Sequence, residues 1–388
     1  MDDSIRKLGP VYILVFLRGF SLSLTINGPV MPLYVRSLGV SVSQWSFLAT
    51  SIAVGFISFE AIWGSISDRV NRIRILVLSM LLMSCILPLY TIPSLLPYFF
   101  IFQFLIGSFF VMVGPTSRAL IADLSPADQL GFAMSLWSTC GAVGGILGPV
   151  LGGWITKNYG YPTAFYTSTI ILLFAAVLTF TTGKDRPKED AQNGGLNDLI
   201  ISFREIIADQ RIRITFLMAV SIYVGVSAIR SFLPIYASEL FGMDEVSIGL
   251  MLTLGTALQL LGTPLVGRLS DRISVKKMLS ILLGTSCLLL LTYLYASTPL
   301  HLTIITVLVI FSFSSQSVSL IMLSKLADRE KLGMTMGLYG SFEDLGLIVG
   351  PLLFGVVWDV LGPKSLFPVS AVALLLAIIS LSMVKLEN

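Results

Sequence analysis

Five charged side chains lie well inside long apolar stretches of this sequence, away from the stretch ends, where charge is otherwise scarce: Arg18, Glu60, Arg230, Glu343 and Asp344. Among apolar side chains, the pKa of a carboxyl group is raised by desolvation and lowered again by a nearby cation. Such a group is suited to take up and release a proton. We therefore predict Glu343 or Asp344 as a proton-binding site, with Arg230 as the nearby cation. A static charge network at the same residues is the alternative reading.

The relative depth of these charges in their helices suggests how they pair. Neighbouring positions of a helix point about 100° apart, so Glu343 and Asp344 cannot face the same surface. Arg18 and Glu60 each lie about seven residues from the same end of their apolar stretches, and therefore at similar depth. We predict an ion pair between Arg18 and Glu60. A purely structural pair and proton uptake by Glu60 both remain open.

The elements that must hold these residues are membrane-spanning helices. Hydrophobic residues make up 55% of the sequence and charged residues 12%, about half the charged fraction of a soluble domain, and the mean hydropathy is +0.88. A helix needs about 20 apolar residues to cross a bilayer. Twelve stretches qualify, and are numbered span 1 to span 12 in chain order: 11–35, 45–67, 74–92, 96–119, 131–155, 162–182, 213–238, 246–268, 276–296, 300–323, 333–357 and 365–384. We predict an all-α membrane protein with twelve transmembrane helices.

Lys and Arg collect on one predicted side of the membrane. Basic residues mark cytoplasmic loops. With the N-terminus inside, only five of the 25 Lys and Arg residues lie elsewhere: Arg36, Lys157 and Lys364 outside, and Arg18 and Arg230 within spans. We therefore expect both termini on the cytoplasmic side, named the inner side below, of a multi-pass plasma-membrane protein. The net charge of +3 reflects this bias and does not indicate nucleic-acid binding.

The sequence contains an internal repeat. One motif, Gly64, Asp68 and Arg69, recurs 203 residues later as Gly267, Asp271 and Arg272. A second motif, Gly148 and Pro149, recurs 202 residues later as Gly350 and Pro351. Repeated halves of this kind are typical of secondary transporters, with a substrate path between the halves. We predict two pseudo-symmetric six-helix bundles, at 1–182 and 212–388. The linker at 183–211 is polar, and its apolar spacing over 196–207 predicts a short amphipathic helix.

The first of these motifs resembles the inner-loop motif GxxxDRxGRR of the major facilitator superfamily, although Asn replaces the second Gly. In that family the loop joins spans 2 and 3 and latches the two halves together, and a basic residue pairs with an acid at the end of span 4. The latch implied by the resemblance comprises these residues: Gly64, Asp68, Arg69, Arg72, Asp123, Gly267, Asp271 and Arg272. The resemblance extends along essentially the whole chain.

Span 5 carries a glycine-rich run with Gly141, Gly145, Gly148, Pro149 and Gly152. Glycines at this spacing share one helical face and allow another helix to pack closely, while the proline adds a kink. The run resembles GxxxGPxxGG, a motif found in the exporters of the same superfamily and generally absent from its uptake members. It therefore implies export. A packing seam without bearing on direction is the alternative.

Polar and aromatic residues in spans 1, 4, 7 and 10 line the central cavity in this superfamily. The substrate-cavity candidates are Asn27, Gln103, Tyr223, Arg230, Tyr236 and Gln316. Two family features are missing: Gln replaces an Arg that many proton-coupled exporters have in span 4, and span 1 offers Asn where several have an acid. Few charges with several aromatics favour amphipathic or lipophilic substrates, whereas an exposed Arg230 favours anions. The sequence does not decide between these substrates.

The expected function is secondary active export of small amphipathic or lipophilic molecules, in exchange for protons. The sequence has no Walker sequence, nucleophile elbow or zinc-ligand spacing, so we expect neither an enzyme nor a cofactor or metal site. The expected partners are a small-molecule substrate, protons and the lipid bilayer, with the protein as a monomer. The alternatives are a proton-coupled symporter for a small anionic solute, and a lipid-moving or sensor protein on the same scaffold.

Overall fold

The architecture is helical. The computed structural model describes residues 3–67, 70–126, 129–183, 205–328 and 331–384. Every regular element in these ranges is a helix. Eleven of the helices are long and apolar enough to cross a membrane, and a shorter apolar helix, Leu8–Leu24, stands at span 1. The predicted all-α fold with twelve spans is confirmed.

Several helices of the first half extend beyond the stretches that the hydropathy pattern predicts. They are Asp3–Leu24 and Val30–Ser37 (span 1), Val42–Ser67 (span 2), Arg72–Ile86 (span 3), Phe99–Phe110 and Val113–Leu124 (span 4), Leu130–Tyr159 (span 5) and Tyr161–Thr182 (span 6). Short 3-10 turns at Leu87–Thr91 and Pro93–Tyr98 connect spans 3 and 4. Span 4 ends at Leu124, five residues beyond its predicted end at residue 119.

The helices of the second half follow the same order. They are Gln210–Ser227 and Leu233–Phe241 (span 7), Glu245–Ile273 (span 8), Val275–Thr292 (span 9), Pro299–Ser312 and Ser315–Leu326 (span 10), Leu332–Leu361 (span 11) and Leu366–Met383 (span 12). A π-helical turn, Ala228–Phe232, joins the two helices of span 7. Such turns are rare and frequently mark functional sites, and this one carries Arg230.

Glycines with positive φ appear at matching points of the repeat. Gly160 follows span 5 with φ of 83°, and Gly362 follows span 11 with φ of 84°. Gly39 and Gly242 form a second matching pair, with φ of 84° and 61°. A side chain with a Cβ is strained at these angles, whereas glycine is not. The repeat therefore specifies the turns as well as the helices.

The chain divides into two compact units by residue contacts. Unit 1 comprises Met1–Val40, Ser51–Ala191 and Gly242–Thr253, and unit 2 comprises Ser41–Thr50, Gln192–Phe241 and Leu254–Asn388. Each unit therefore includes the beginning of one span from the other half of the sequence. The predicted linker at 183–211 falls mostly outside the described residues, as does most of the amphipathic helix predicted at 196–207. Both remain predictions.

The same buried aromatic cluster occurs in each unit. Its members, again 202 or 203 residues apart, are Tyr34, Tyr90 and Phe165 in unit 1 and Tyr236, Tyr293 and Phe367 in unit 2. The ring centroids of Tyr90 and Phe165 lie 5.4 Å apart, and those of Tyr293 and Phe367 lie 3.8 Å apart. Aromatic burial of this kind is a large packing contribution. It anchors the helices that carry the polar side chains described below.

Candidate functional site

In unit 2, a polar cluster forms around Tyr223 on span 7. The Tyr223 hydroxyl lies 3.3 Å from Oε1 of Gln316 on span 10, and the carboxyl group of Glu343 on span 11 lies close to it. The guanidinium carbon of Arg230 lies 6.0 Å from the centroid of the Tyr223 ring. The structure therefore brings together four residues that the sequence analysis singled out.

Glycines on span 11 allow this cluster to form. A Cβ added to Gly346 would lie 2.6 Å from Cβ of Tyr223, so the two helices approach closely at that level. Gly346 follows Glu343 by three positions, nearly one helical turn, which places the carboxyl group on the side of span 11 that packs against span 7. Asp344 points about 100° away from Glu343. Of the two predicted proton sites, Glu343 is the one in contact with Tyr223.

Three predicted cavity residues lie in other surroundings. Tyr236 is 1% exposed and packs edge-to-face on Phe367, with ring centroids 4.8 Å apart, because it belongs to the aromatic core of unit 2. Gln103 is 2% exposed, and its Oε1 has no hydrogen-bond partner. Asn27 is exposed in the break between the two helices of span 1. Tyr236 and Gln103 therefore do not line an open surface, which corrects the prediction for both.

In unit 1, Arg18 does not pair with Glu60 as predicted. Its guanidinium donates to the backbone oxygen of Phe110 at 3.1 Å and stacks over the Phe110 ring, 4.1 Å from the centroid. Arg18 is 9% exposed. Equal depth along two helices does not set the direction in which their side chains point, and span 4 supplies the group that Arg18 faces. Arg118 is the cation whose charge acts on Glu60.

Arg118 is a site residue that the sequence analysis missed. It was assigned to the inner end of span 4, but the helix continues for six residues beyond it, to Leu124. Arg118 is exposed, and its guanidinium carbon lies 5.5 Å from the centroid of the Trp137 ring on span 5. Its charge acts on Arg18 as well as on Glu60. The signal that could have identified Arg118 is the helical spacing of apolar residues, which continues past residue 119.

Trp137 and its counterpart in unit 2 are held in the same way. Nε1 of Trp137 donates to the hydroxyl oxygen of Ser117 at 2.8 Å. In unit 2, the hydroxyl groups of Tyr339 and Ser319 lie 2.6 Å apart. The two aromatic residues and the two serines are each separated by 202 residues, so this bond between neighbouring spans belongs to the repeat. It fixes one aromatic ring beside each charged cluster.

The predicted inner latch is present in part. Arg72 donates to the carboxylate of Asp123, as the resemblance implied. Asp68, Arg69 and the side chain of Asp271 lie outside the described residues. The other latch positions have these places: Gly64 near the end of span 2, Gly267 within the last two turns of span 8, and Arg272 exposed at its end. The action of these residues as a latch remains a prediction.

The glycine face of span 5 packs on span 1. A Cβ added to Gly148 would lie 2.6 Å from the backbone nitrogen of Leu24, and one added to Gly144 would lie 2.8 Å from that of Phe20. Gly152 meets the backbone of Leu24 as well. Pro149 lies within the helix, between these contacts. The run is therefore a close helix-packing seam, and its implication for the direction of transport stays a prediction.

Comparison with known proteins gives a consistent family. The family model described as Major Facilitator Superfamily matches residues 11–244 and 215–387. The Multidrug resistance protein MdtG of Yersinia enterocolitica is 29% identical over 381 residues, which cover 95% of this chain and 91% of the relative. The protein of the same name from Escherichia coli is also 29% identical over 381 residues, with 94% and 91% covered.

Solved transporter structures share the fold. The nucleoside transporter NupG superposes with a TM-score of 0.82 at 14% identity, covering 98% of this chain and all of that chain (100%). The peptide transporter POT in complex with sulfate gives a TM-score of 0.80 at 15% identity, with 97% and 94% covered. A bacterial homolog to the human lysosomal transporter Spinster gives 0.77 at 14% identity, with 98% and 94% covered. At such identities the likeness shows the fold alone.

Proposed function

The chain belongs to the major facilitator superfamily, and on that premise we propose that it exports small amphipathic or lipophilic molecules in exchange for protons. The polar cluster around Tyr223 carries the proposal. The relatives named multidrug resistance proteins, at 29% identity along nearly the whole chain, support export of such molecules. Inward proton movement supplies about 2.3 kcal/mol per charge for each 100 mV of membrane potential.

The Tyr223 hydroxyl has a single proton to donate, and two acceptors compete for it. A charged Glu343 accepts that proton, whereas a protonated Glu343 donates its own to the Tyr223 oxygen and leaves Tyr223 to donate to Gln316. Protonation therefore reverses one hydrogen bond between spans 7 and 11 and strengthens another between spans 7 and 10.

This arrangement supplies the coupling that exchange requires. A proton on Glu343 changes how span 7 is held by spans 10 and 11, the helices that carry the cluster. A substrate that competes for Tyr223 or Gln316 favours one protonation state over the other, and by linkage the proton changes the affinity for that substrate by the same factor. Asp344 lies about 100° around the helix from Glu343, so we assign it no part in this relay.

A reconstituted transport assay tests the proposal. Proteoliposomes are loaded with rhodamine 6G, a lipophilic cation, or with salicylate, an organic anion, and placed in an acidic external buffer. We expect wild-type protein to move a probe outward against the proton flow, above the background of protein-free liposomes. Glu343→Gln should abolish this gradient-driven movement while leaving downhill exchange of the probe. Asp344→Asn should retain most of the coupling.

The matched control is Asp359→Asn, a carboxyl group near the outer end of the same span. Asn keeps an acceptor for the hydrogen bond from Ser43, so coupling should persist. Gradient-driven movement that survives in Glu343→Gln would contradict the proposed coupling site. Coupling lost in Asp359→Asn as well would mean that the assay responds to damage of span 11 rather than to proton binding.

Arg230 supports a second candidate function, proton-coupled symport of a small anionic solute. It is exposed within a membrane span, and a charge there is costly unless it faces a water-filled space or a ligand of opposite charge. The same assay separates the two functions. A symporter would carry salicylate in the direction of the proton flow, and Arg230→Gln would abolish that movement.

The remaining expectations concern the setting of the protein. We propose the plasma membrane as its location, with both termini in the cytoplasm, and function as a monomer. The bias of Lys and Arg toward the inner side supports this orientation. A cysteine placed at residue 387 should react with an impermeant maleimide only after the membrane is opened. Labelling of this cysteine in intact cells would instead place the C-terminus on the outer side.

A further inference from the structure

Unit 1 holds more positive than negative charge within its membrane spans. Arg18 donates to the backbone oxygen of Phe110 and Arg118 to that of Gly114, four residues further along span 4, so the two guanidinium groups lie close together. Neither forms an ion pair with a carboxylate among the described residues. Glu60 feels the charge of Arg118 from beyond ion-pair distance. The two guanidinium groups therefore repel each other, and the one nearby carboxyl group, that of Glu60, lies on the side of Arg118.

An uncompensated guanidinium pair within a membrane span is unfavourable, and such charges usually face a partner or a ligand. Nε of Arg18 is buried without a hydrogen-bond acceptor, although buried donors in proteins are nearly always paired. Arg118 uses its own Nε for the backbone oxygen of Gly114 at 3.2 Å, which leaves the two terminal nitrogens at its exposed end. An anion beside Arg118 would offset the repulsion between the two cations.

Aromatic rings lie beside both guanidinium groups. Arg118 is over Trp137, whose ring is fixed by its bond to Ser117, and Arg18 is over Phe110. A guanidinium group that stacks on an aromatic ring still presents its N–H donors in its own plane. Two of these donors match the two oxygens of a carboxylate. The site combines two cations with two apolar faces. That combination fits an organic anion that carries an apolar ring.

We propose that unit 1 contains an anion-binding site at Arg118 and Arg18, beside Trp137 and Phe110, for the carboxylate or sulfonate of an amphipathic organic anion. The residues of this site belong to unit 1, whereas those of the Tyr223 cluster belong to unit 2. This proposal rests on the proposed function only where it treats the bound anion as a transported substrate. A lipophilic cation of the same shape meets two guanidinium groups there and is excluded.

Equilibrium binding of 1-pyrenebutyrate tests the site. The probe combines a carboxylate with an apolar ring system, and its binding to purified protein in detergent is followed by quenching of tryptophan fluorescence. We expect saturable binding by wild-type protein, weakened by about tenfold or more in Arg118→Gln because a charged hydrogen bond is lost. Arg118→Lys keeps the charge but loses the planar fork, so its affinity should fall between those two. The cation 1-pyrenebutyl-trimethylammonium should not show this dependence on residue 118.

Arg213→Gln is the matched control, because it removes an exposed arginine of unit 2 that belongs to neither candidate site. It should leave the affinity for 1-pyrenebutyrate unchanged. Loss of binding in Arg230→Gln but not in Arg118→Gln would place the anion in unit 2 and overturn the proposal. Equal affinity of wild type, Arg118→Lys and Arg118→Gln would overturn it too, since the probe would then be partitioning into detergent or an apolar surface.

The binding assay uses no proton gradient, so its outcome is independent of the transport assay. If binding depends on Arg118 but no gradient-driven exchange is observed, the proposed function is contradicted and the anion-binding site is supported. If exchange depends on Glu343 but binding is insensitive to Arg118, the anion-binding site is contradicted and the proposed function is supported. Circular dichroism and gel filtration of each variant identify a loss of folding. If Arg118→Gln fails these checks, Arg118→Lys still decides the result.

Discussion

Unit 1 and unit 2 hold the same aromatic–serine hydrogen bond, but the charges beside it are of opposite sign. Trp137 bonds to Ser117 in unit 1 beside two arginines, and Tyr339 bonds to Ser319 in unit 2 beside a carboxyl group. The repeat has thus kept the contact that fixes the helices, while the charges were added separately in each unit. Packing is what the two halves share, and charge is what distinguishes them.

The position of Glu343 illustrates this difference. Its counterpart in unit 1 is Gly141, 202 residues earlier, against which span 1 packs closely. A Cβ added to Gly19 would lie 2.7 Å from the backbone oxygen of Gly141. In unit 1 this space is filled by backbone, whereas in unit 2 it holds a carboxyl group that reaches Tyr223. The same site on the scaffold serves packing in one unit and polar contact in the other.

The largest expected effect tests the shared packing. Gly144→Ala and Gly346→Ala, which occupy matching positions, should both destabilise the protein. Each new Cβ would lie under 3 Å from atoms that cannot easily move, 2.8 Å from the Phe20 nitrogen and 2.6 Å from Tyr223 Cβ respectively. Overpacking costs about 1–3 kcal/mol, which outweighs the gain of about 1 kcal/mol in helix propensity. The thermal unfolding midpoint in detergent measures the balance.

Gly131→Ala and Gly337→Ala are the controls for these substitutions. They lie on the same two spans, and a Cβ at either position meets nothing within 4 Å apart from its chain neighbours and the backbone of its own helix. Helix propensity alone acts there, so the midpoint should stay unchanged or rise. If Gly144→Ala were neutral and Gly346→Ala destabilising, close packing would belong to unit 2 only, and the comparison between the units would fail.

A smaller effect distinguishes the two aromatic–serine bonds. Ser319→Ala leaves the fully buried hydroxyl of Tyr339 without its partner, whereas Ser117→Ala leaves Nε1 of the half-buried Trp137 without one. An unsatisfied buried polar group costs about 1–3 kcal/mol. The midpoint should therefore fall more in Ser319→Ala than in Ser117→Ala, since water reaches the surroundings of Trp137 more easily.

A double-mutant cycle checks the assignment. The pair Ser319→Ala with Tyr339→Phe removes both groups of the bond, and it should recover part of the stability lost in Ser319→Ala alone. Additive losses would mean that the hydroxyl groups do not interact in the folded protein. Equal falls of the unfolding midpoint in Ser117→Ala and Ser319→Ala would contradict the expectation that the more buried bond of unit 2 contributes more stability.

The fold could be predicted from the sequence because membrane helices and repeats leave strong signals. About 20 apolar residues mark each span, and the same offset relates the motifs, the turn glycines and the aromatic clusters of the two halves. The Tyr223 cluster was also within reach. Charged residues within a membrane are few, which singled out Arg230 and Glu343, and the family resemblance singled out Tyr223 and Gln316 as cavity candidates.

Other contacts could not be predicted, for physical reasons. The pairing of Arg18 with Glu60 was wrong because depth along a helix says nothing about its rotation, and Phe110 on span 4 occupies the direction that Arg18 takes. Arg118 was missed because the apolar run ends before the helix does. Tyr236 has the residue type of a cavity-lining side chain, but its burial depends on Phe367, which lies far along the sequence. These contacts require three-dimensional positions.

The smallest effect concerns two contacts at the predicted outer side, again at matching positions. In unit 1, Nζ of Lys157 lies 2.5 Å from Oδ2 of Asp244. In unit 2, the counterpart of Lys157 is Asp359, which accepts a hydrogen bond from Ser43. One contact is an ion pair and the other pairs a charge with a neutral hydroxyl. Added salt screens the first more than the second.

Asp244→Asn should therefore lower the unfolding midpoint slightly at low salt and not at high salt, while Asp359→Asn should respond equally at both. The hydrogen bond from Lys157, followed by those from Ser247, lowers the pKa of Asp244 to about 2. Because this pKa is lower in the folded protein, the carboxylate stabilises the fold above its unfolded pKa of about 3.9, and this contribution is lost as the pH falls toward 2. The difference between Asp244→Asn and wild type should then be constant from pH 5 to 8 and shrink only in strong acid. A difference that changed near pH 6 would instead assign proton sensing to this outer contact and weaken the case for Glu343.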